Sequence, residues 1–278
     1  MSRFHLVNAD WNFWPEGSPP PTIWAECADL GFEGLELGVY DPDIELSPVR
    51  VAEAATLSAR HRIGARAALF SMPPGRWPGG GLASVEHRAE AVRAIVETGR
   101  RAAGIGATVL GVWPGADLPA GGPDDWARTA ESLAAVAEGT RSLGLTVAVE
   151  PKPGQLVAGT QDAIRLCEEI GDPGIGVLLD TAHALAAGED IEALPERIGT
   201  RLMHVHLGDS DGGDADADLP PGSVHDFGPF LAALQDSGYQ GALSFDLYGA
   251  VSAGGCTGRE ASRLGLAHVT AALAGGHA

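Results

Sequence analysis

Short apolar runs alternate with longer, alanine-rich stretches of helical period along the whole chain. Period-2 alternation predicts strands at 4–10, 34–40, 64–70, 107–113, 146–151, 175–180, 202–208 and 242–247. Helical patterns fall between and after them, near 20–30, 48–61, 84–104, 124–143, 160–170, 191–198, 227–237 and 258–274. Ser47 before Pro48, Thr160 and Asp226 stand where helix caps are expected. Eight strands, each followed by a helix, give the alternation of a parallel sheet. Eight such units in 278 residues fit a single closed (β/α)8 TIM barrel over 1–278. The alternative, an open doubly wound sheet, would carry a glycine-rich phosphate loop after its first strand. The chain has DWNFWPEGSPPP there, and the Gly104–Gly106 pair precedes a strand, with Val109 where a third glycine is needed. A dinucleotide site is excluded.

The same alternation sorts residues by face. In VAVEPK (147–152), Val147 and Val149 share one side, and Ala148, Glu150 and Lys152 the other. On strand six Leu178 and Asp180 face away from Val177 and Leu179. On strand seven Met203, Val205 and Leu207 read as helix-facing, which turns His204 and His206 to the barrel axis. On strand eight Leu243, Phe245 and Leu247 pack outward, and Ser244 and Asp246 point in. Glu150, Asp180, His206 and Asp246 therefore converge from four consecutive strands at their carboxyl ends, where a barrel of this class carries its active site. Uncompensated carboxylates gathered there are expensive, and a divalent cation neutralises them. Three carboxylates and one imidazole suit Mn²⁺, Mg²⁺ or Co²⁺, with Zn²⁺ a further candidate. Thiol-free ligation argues against a structural zinc site.

Other side chains fit around such a centre. Lys152 is placed to put positive charge beside a developing oxyanion or to hydrogen-bond Glu150. Trp113 on strand four, and Trp11 and Trp14 after strand one, offer flat faces to a polyol, though each also suits an ordinary core role. Glu36, flanked by Gly34 and Gly38 on its own face, is a candidate hydrogen-bond partner for a substrate hydroxyl. Two unusual loops, 73–81 (PPGRWPGGG) and 209–222 (DSDGGDADADLPPG), follow strands three and seven. The second is not a calcium loop of the EF-hand kind: counted from Asp209, Gly213 falls on a ligand position, Asp214 on the glycine and Pro220 on the bidentate Glu.

Charge narrows the partners. With 18 basic against 37 acidic residues the formal charge is -19, which disfavours nucleic acid and anionic membranes. The five aspartates between 209 and 218 occupy the place where a phosphate-binding barrel offers amides or basic side chains, so an unphosphorylated substrate is expected. Cys27, Cys167 and Cys256 are scattered and odd in number, as in a reducing compartment. No apolar run reaches membrane-spanning length and no secretory h-region is evident, so a cytoplasmic location is expected, with a homo-oligomer left open. Ser71 and Ser244 lack the GxSxG setting of a nucleophile.

VEPKP at 149–153, Asp180-x-x-His183, His204-x-His206 and the tail PPG…DF…GYQGALSFDL together resemble the xylose-isomerase-like TIM barrels, the sugar (phosphate) isomerase/epimerase superfamily. The resemblance runs over the whole chain and is most specific in its second half. It implies the same four metal ligands, a substrate contact for His183, and the Glu150/Asp246 pair as acid and base. It also implies a sugar isomerase or epimerase acting on a keto-sugar or keto-polyol beside a metal-bound carbonyl. A dehydratase acting on an inosose or keto-sugar would use the same site, and a non-catalytic polyol-binding or partner subunit is the reading outside enzymes. One position departs from the family pattern. Asp246 stands where Glu is usual, one methylene shorter, which leaves its reach as a base open. GVLLDTAHALAAGED (176–190) is also similar to endonuclease-IV-type AP endonucleases, but the histidines of a trinuclear zinc cluster are missing from FSMPPG and VWPG. Asp216-Ala217-Asp218 replaces the Asp-x-His motif, and DNA repair is rejected on these grounds.

Overall fold

A computed structural model describes residues 4–73, 75–77, 81–115 and 121–275. Part of the 73–81 loop and His277 lie outside the described residues. Eight parallel strands close in sequence order into one barrel. They are β1 His5–Ala9, β2 Gly34–Val39, β3 Gly64–Ser71, β4 Val109–Trp113, β5 Thr146–Val149, β6 Ile175–Asp180, β7 Leu202–Leu207 and β8 Ala242–Phe245. Among the described residues, α-helices wrap the barrel: α1 Pro20–Leu30, α2 Pro48–His61, α3 Arg88–Ala103, α4 Pro123–Thr140, α5 Thr160–Ile170, α6 Thr181–Ala186, α7 Leu194–Ile198, α8 Gly228–Asp236, α9 Tyr248–Ser252 and α10 Gly258–Gly275. None of these helices is long and apolar enough to cross a membrane.

The period-2 reading of faces holds at most positions. Val147, Val149, Val177, Leu179, Val205, Leu207, Leu243 and Phe245 join the large core between strands and helices. Ala9, Leu69, Ala148 and Leu178 form a smaller cluster in the barrel interior. Met203 is the exception and corrects the helix-facing expectation, because it packs against the interior cluster. Its cause is a bulge in β7 at Met203 itself: Val177 pairs with Leu202 and Leu178 with His204, so Met203 is the extra residue. Gly176 permits it, since a Cβ there would collide with the Arg201 carbonyl and the Met203 side chain.

Helix starts differ from expectation in detail. Ser47 makes no side-chain cap on α2. Thr160 is the first residue of α5 rather than its cap, and its amide is held by the Glu189 carboxylate at 3.0 Å. Asp226 sits one residue before the N-cap of α8, yet its Oδ1 still accepts the Gly228 amide at 2.9 Å. The segment after β1 is a 3-10 helix, Asp10–Glu16, whose C-cap Gly17 is left-handed (φ 67°). That short helix carries Trp11 and Trp14 to the barrel mouth.

The barrel is closed between β1 and β8 by side chains as well as by strand pairing. Asn12 donates to the Phe245 carbonyl at 2.8 Å and accepts the Leu247 amide at 2.8 Å. Asn8 donates to Ser262 of α10 at 2.9 Å. All of these groups are buried, so each bond is made where water cannot substitute.

Candidate metal centre

At the carboxyl end of the barrel, one ligand atom from each of Glu150, Asp180, His206 and Asp246 lies within 4.8 Å of the others. The four residues read from strand alternation are thus brought together. Glu150 and Asp246 each stand one residue beyond their strands, where the chain turns out of the sheet.

The local folding explains why each group points inward with one atom free. Asp180 ends β6 and caps α6: its Oδ1 accepts the His183 amide at 2.9 Å, and its buried Oδ2 has no hydrogen-bond partner among the described residues. Asp246 gives Oδ1 to the Trp11 indole at 2.8 Å and turns Oδ2 toward His206. His206 donates Nε2–H to Glu36 Oε2 at 3.2 Å, an assignment made from the hydrogen-bond network. This leaves the Nδ1 lone pair facing Glu150, Asp180 and Asp246 oxygens at 3.4, 3.6 and 3.7 Å, without a hydrogen bond.

A lone pair surrounded by three carboxylates repels them unless a proton or cation lies between. A divalent ion ligated at about 2.0–2.2 Å would span donors of this spacing, so the residues fit one. Titration of the groups points the same way. Burial, with Asp180 and Glu150 close by, pushes the Asp246 carboxyl up to about 6 despite opposing help from His206 and Trp11. Asp180 is held well below the usual carboxylate range: burial opposes this, but His183 and His206 outweigh it. His206 is held above its ordinary value by Glu36 and the ligand carboxylates, against its burial. Crowded acids and an imidazole drawn toward a proton mark a place short of positive charge.

The remaining predicted residues occupy two levels. Beneath the ligands, fully buried Glu36 accepts from His204 Nε2 at 2.8 Å and from His206 with the same oxygen. Glu36, expected as a substrate contact, is not among the residues lining the cavity above, and its Oε1 has no hydrogen-bond partner among the described residues. Through Oε2 the carboxylate holds the His206 ring from behind. Above the ligands, a cavity of about 110 Å³ is lined by Trp11, Trp14, Trp113, Lys152, His183 and Asp218, among others. His183 donates Nδ1–H to the Pro151 carbonyl at 3.1 Å, which leaves Nε2 as an acceptor. Lys152 pairs with Asp216 rather than hydrogen-bonding Glu150, and its ammonium lies 4.4 Å above the Trp113 ring.

One contributor is not legible in the sequence as a site residue, and a second has a bond that the sequence does not show. The 209–222 loop folds back through an antiparallel bridge between Asp209 and Leu219, which delivers Asp218 into the cavity. Asp218 is buried with Oδ1 unpartnered, and burial together with Asp246 and Asp180 pushes its carboxyl well up. Trp11, expected as a flat face toward a polyol, lines the cavity and also donates its indole N–H to Asp246. The DADAD run and the tryptophan-rich turn were the available signals, but neither spacing states what a loop will touch.

Comparison with known proteins agrees with this architecture. The family model described as xylose isomerase-like TIM barrel matches residues 24–270. The L-ribulose 3-epimerase of Mesorhizobium japonicum is 26% identical over 265 residues, covering 89% of this chain and 82% of that protein. The inosose dehydratase of Lacticaseibacillus casei is 27% identical over 142 residues, 45% of this chain and 48% of its own length. Among solved structures, the D-psicose 3-epimerase of Clostridium cellulolyticum H10 with D-tagatose superposes with a TM-score of 0.81 at 17% identity, covering 99% of this chain and 100% of that one.

Proposed function

The chain belongs to the xylose isomerase-like TIM-barrel family, and we propose that it is a divalent-metal-dependent epimerase or isomerase of an unphosphorylated keto-sugar or keto-polyol. The observation that carries this reading is the His206 Nδ1 lone pair facing three carboxylates, two of which, Glu150 and Asp246, line a cavity walled by tryptophans. Similarity to an L-ribulose 3-epimerase over most of both chains supports the reaction class.

Glu150, Asp180, His206 and Asp246 would hold the ion. When bound, it supplies Lewis acidity to a carbonyl and its neighbouring hydroxyl. The protein's own work is proton transfer and positioning. Glu150 is the base that removes a proton from the carbon next to the carbonyl, and Asp246, on the other side of the cluster, is the group that returns one. His183 Nε2 accepts from a substrate hydroxyl. Trp113 and Trp14 present apolar faces that fix the sugar's orientation and exclude water. The 209–222 loop brings Asp216 and Asp218 to the cavity and carries no Lys or Arg of its own to bind a phosphate, which favours an unphosphorylated substrate.

The test is solvent exchange. Purified protein loaded with Mn²⁺, Mg²⁺ or Co²⁺ is expected to place deuterium from D₂O into a recovered ketose, and Glu150→Gln is expected to stop it. Absence of exchange across a broad ketose and inosose panel would remove the reading. A second outcome has its own support in the inosose dehydratase similarity. Loss of water from the product, seen by mass, would move the chain to the lyases while leaving the metal and bases in place.

A further inference from the structure

A second, larger cavity adjoins the first. Its volume is about 400 Å³, and it lies outside β2, between the 3-10 helix, α1 and α2. Its walls are largely apolar: Ile23, Trp24, Leu37, Leu46 and Ala54. The polar groups around it are mostly committed to one another. Arg50 pairs with Glu53 at 2.9 Å, and Glu45 accepts the Tyr40 and Asp41 amides at 3.1 and 2.7 Å. Asp10, at its inner end, accepts the Gly38 amide at 2.9 Å. Burial, reinforced by Glu36 and Glu45, pushes the Asp10 carboxyl up to about 8, so it stands protonated and uncharged at neutral pH.

The two cavities share a wall of three residues, Trp14, Gly38 and Tyr40. Trp14 and Tyr40 meet with ring centroids 5.9 Å apart, and Tyr40 is 39% exposed, so the top of this wall is open to a molecule lying across it. The size of the spaces matters here. Ligand pockets commonly measure about 300–1,000 Å³, and the space over the metal ligands, about 110 Å³, falls short of that by itself. The shared wall sets beside it the larger, largely apolar space, whose Arg50 and Glu53 are paired with each other.

We propose that the outer cavity is a substrate subsite that receives an uncharged aromatic or branched aliphatic substituent carried by the keto-sugar at the end remote from its carbonyl. The sugar ring or chain sits over Glu150, Asp180, His206 and Asp246, and the substituent crosses the Trp14–Tyr40 edge to lie among Trp24, Leu46 and Ala54. This deepens the proposed function and rests on it for the orientation of the sugar. A bare ketose leaves the outer cavity to water, which an apolar lining holds poorly. Burying a group of phenyl size should return about tenfold or more in affinity.

The experiment compares a 2-ketohexose with the same ketose bearing a benzyl ether at O6, on the metal-loaded protein. Calorimetric dissociation constants and deuterium-exchange KM values are both measured. The benzyl ether is expected to bind about tenfold more tightly. Ala54→Phe, and the milder Ala54→Leu, are expected to erase that advantage while leaving the parent ketose within about twofold. Equal affinity for the two sugars in the wild type, or a parallel loss for both in the Ala54 variants, would overturn the subsite. The proposed function fails separately, if neither sugar exchanges deuterium. In that case the calorimetric comparison still reads the subsite, with the same two outcomes.

Discussion

The indole nitrogen of Trp11 donates to Oδ1 of Asp246 at 2.8 Å, and this single bond divides the carboxylate between two tasks. Oδ1 is held by the tryptophan, and Oδ2 lies 3.7 Å from His206 Nδ1 among the ligand atoms. An aspartate one methylene shorter than the family's usual glutamate is thereby fixed in direction. Trp11→Phe keeps a ring beside His206, 5.8 Å away by centroid in the native protein, but removes the donor. A hydrogen bond to a charged group contributes about 1.5–3 kcal/mol. Deuterium exchange is therefore expected to slow by roughly tenfold to a hundredfold, with metal stoichiometry retained. Unchanged exchange would mean that Asp246 needs no such anchor.

Glu36 offers a test of the support beneath the site. Its one oxygen serves both His204 and His206, and its burial is complete. Glu36→Gln preserves shape but removes the negative charge behind the ligand. Metal affinity, measured by chelator competition, is expected to weaken by about 10- to 100-fold, whereas Glu150→Gln or His206→Ala should abolish stoichiometric binding. Full affinity in the glutamine variant would reduce Glu36 to a packing role.

Metal binding should depend on pH in a definite direction. Asp246 and Asp218 titrate above their ordinary values, so in the metal-free protein the stability they contribute is present below about 4 and is lost as pH rises through their folded values, about 6 for Asp246. His206, also raised, loses its contribution as pH climbs from 6.5 through its folded value. Asp180 and Glu36 are depressed and oppose this trend only in acid, below their ordinary values. A bound ion displaces the protons on Asp246 and His206, so affinity rises with pH. The increase in Tm on adding Mn²⁺ should be larger at pH 8 than at pH 5.5, with protons released on binding. A larger increase at the lower pH would contradict the assignment.

Gly38 packs against the Trp11 and Trp14 indoles. A Cβ there would stand 2.7 Å from Trp14 Cη2 and 2.9 Å from Trp11 Cε3. Gly38→Ala is expected to cost about 1–3 kcal/mol of stability, as overpacking does. Displaced indoles should shift the tryptophan emission and slow deuterium exchange by about tenfold. Native emission with native exchange would show that the rings have room to move.

Much of this site was legible because strand alternation is strict wherever one face is buried. Glu150, Asp180, His206 and Asp246 follow from counting by twos along four apolar runs, and the barrel follows from their even spacing. Counting failed at Met203, the extra residue of a β7 bulge that breaks the register with β6. It was also silent on α6 and α9, which are too short to show a helical period. The bonds that arm the site join residues far apart in the chain: Trp11 to Asp246, Glu36 to His204 and His206, Lys152 to Asp216. Such pairings depend on which strands become neighbours in three dimensions. For this reason the glycine flanks of Glu36 say nothing of the two histidines it meets across the barrel.

The seam between β1 and β8 has a further consequence, in the order of assembly. Asn12 reaches Phe245 across 233 positions of sequence, and Trp11 reaches Asp246 across 235. During synthesis β1 must wait for nearly the whole barrel to emerge before its partner arrives. Until then the sheet has two open edges, a state prone to pairing with other chains. Asp246, the fourth member of the proposed metal site, is delivered by the strand that closes those edges. Capture of an ion by that site would therefore coincide with closure, and metal supply during synthesis would act as a ratchet on folding as well as on chemistry.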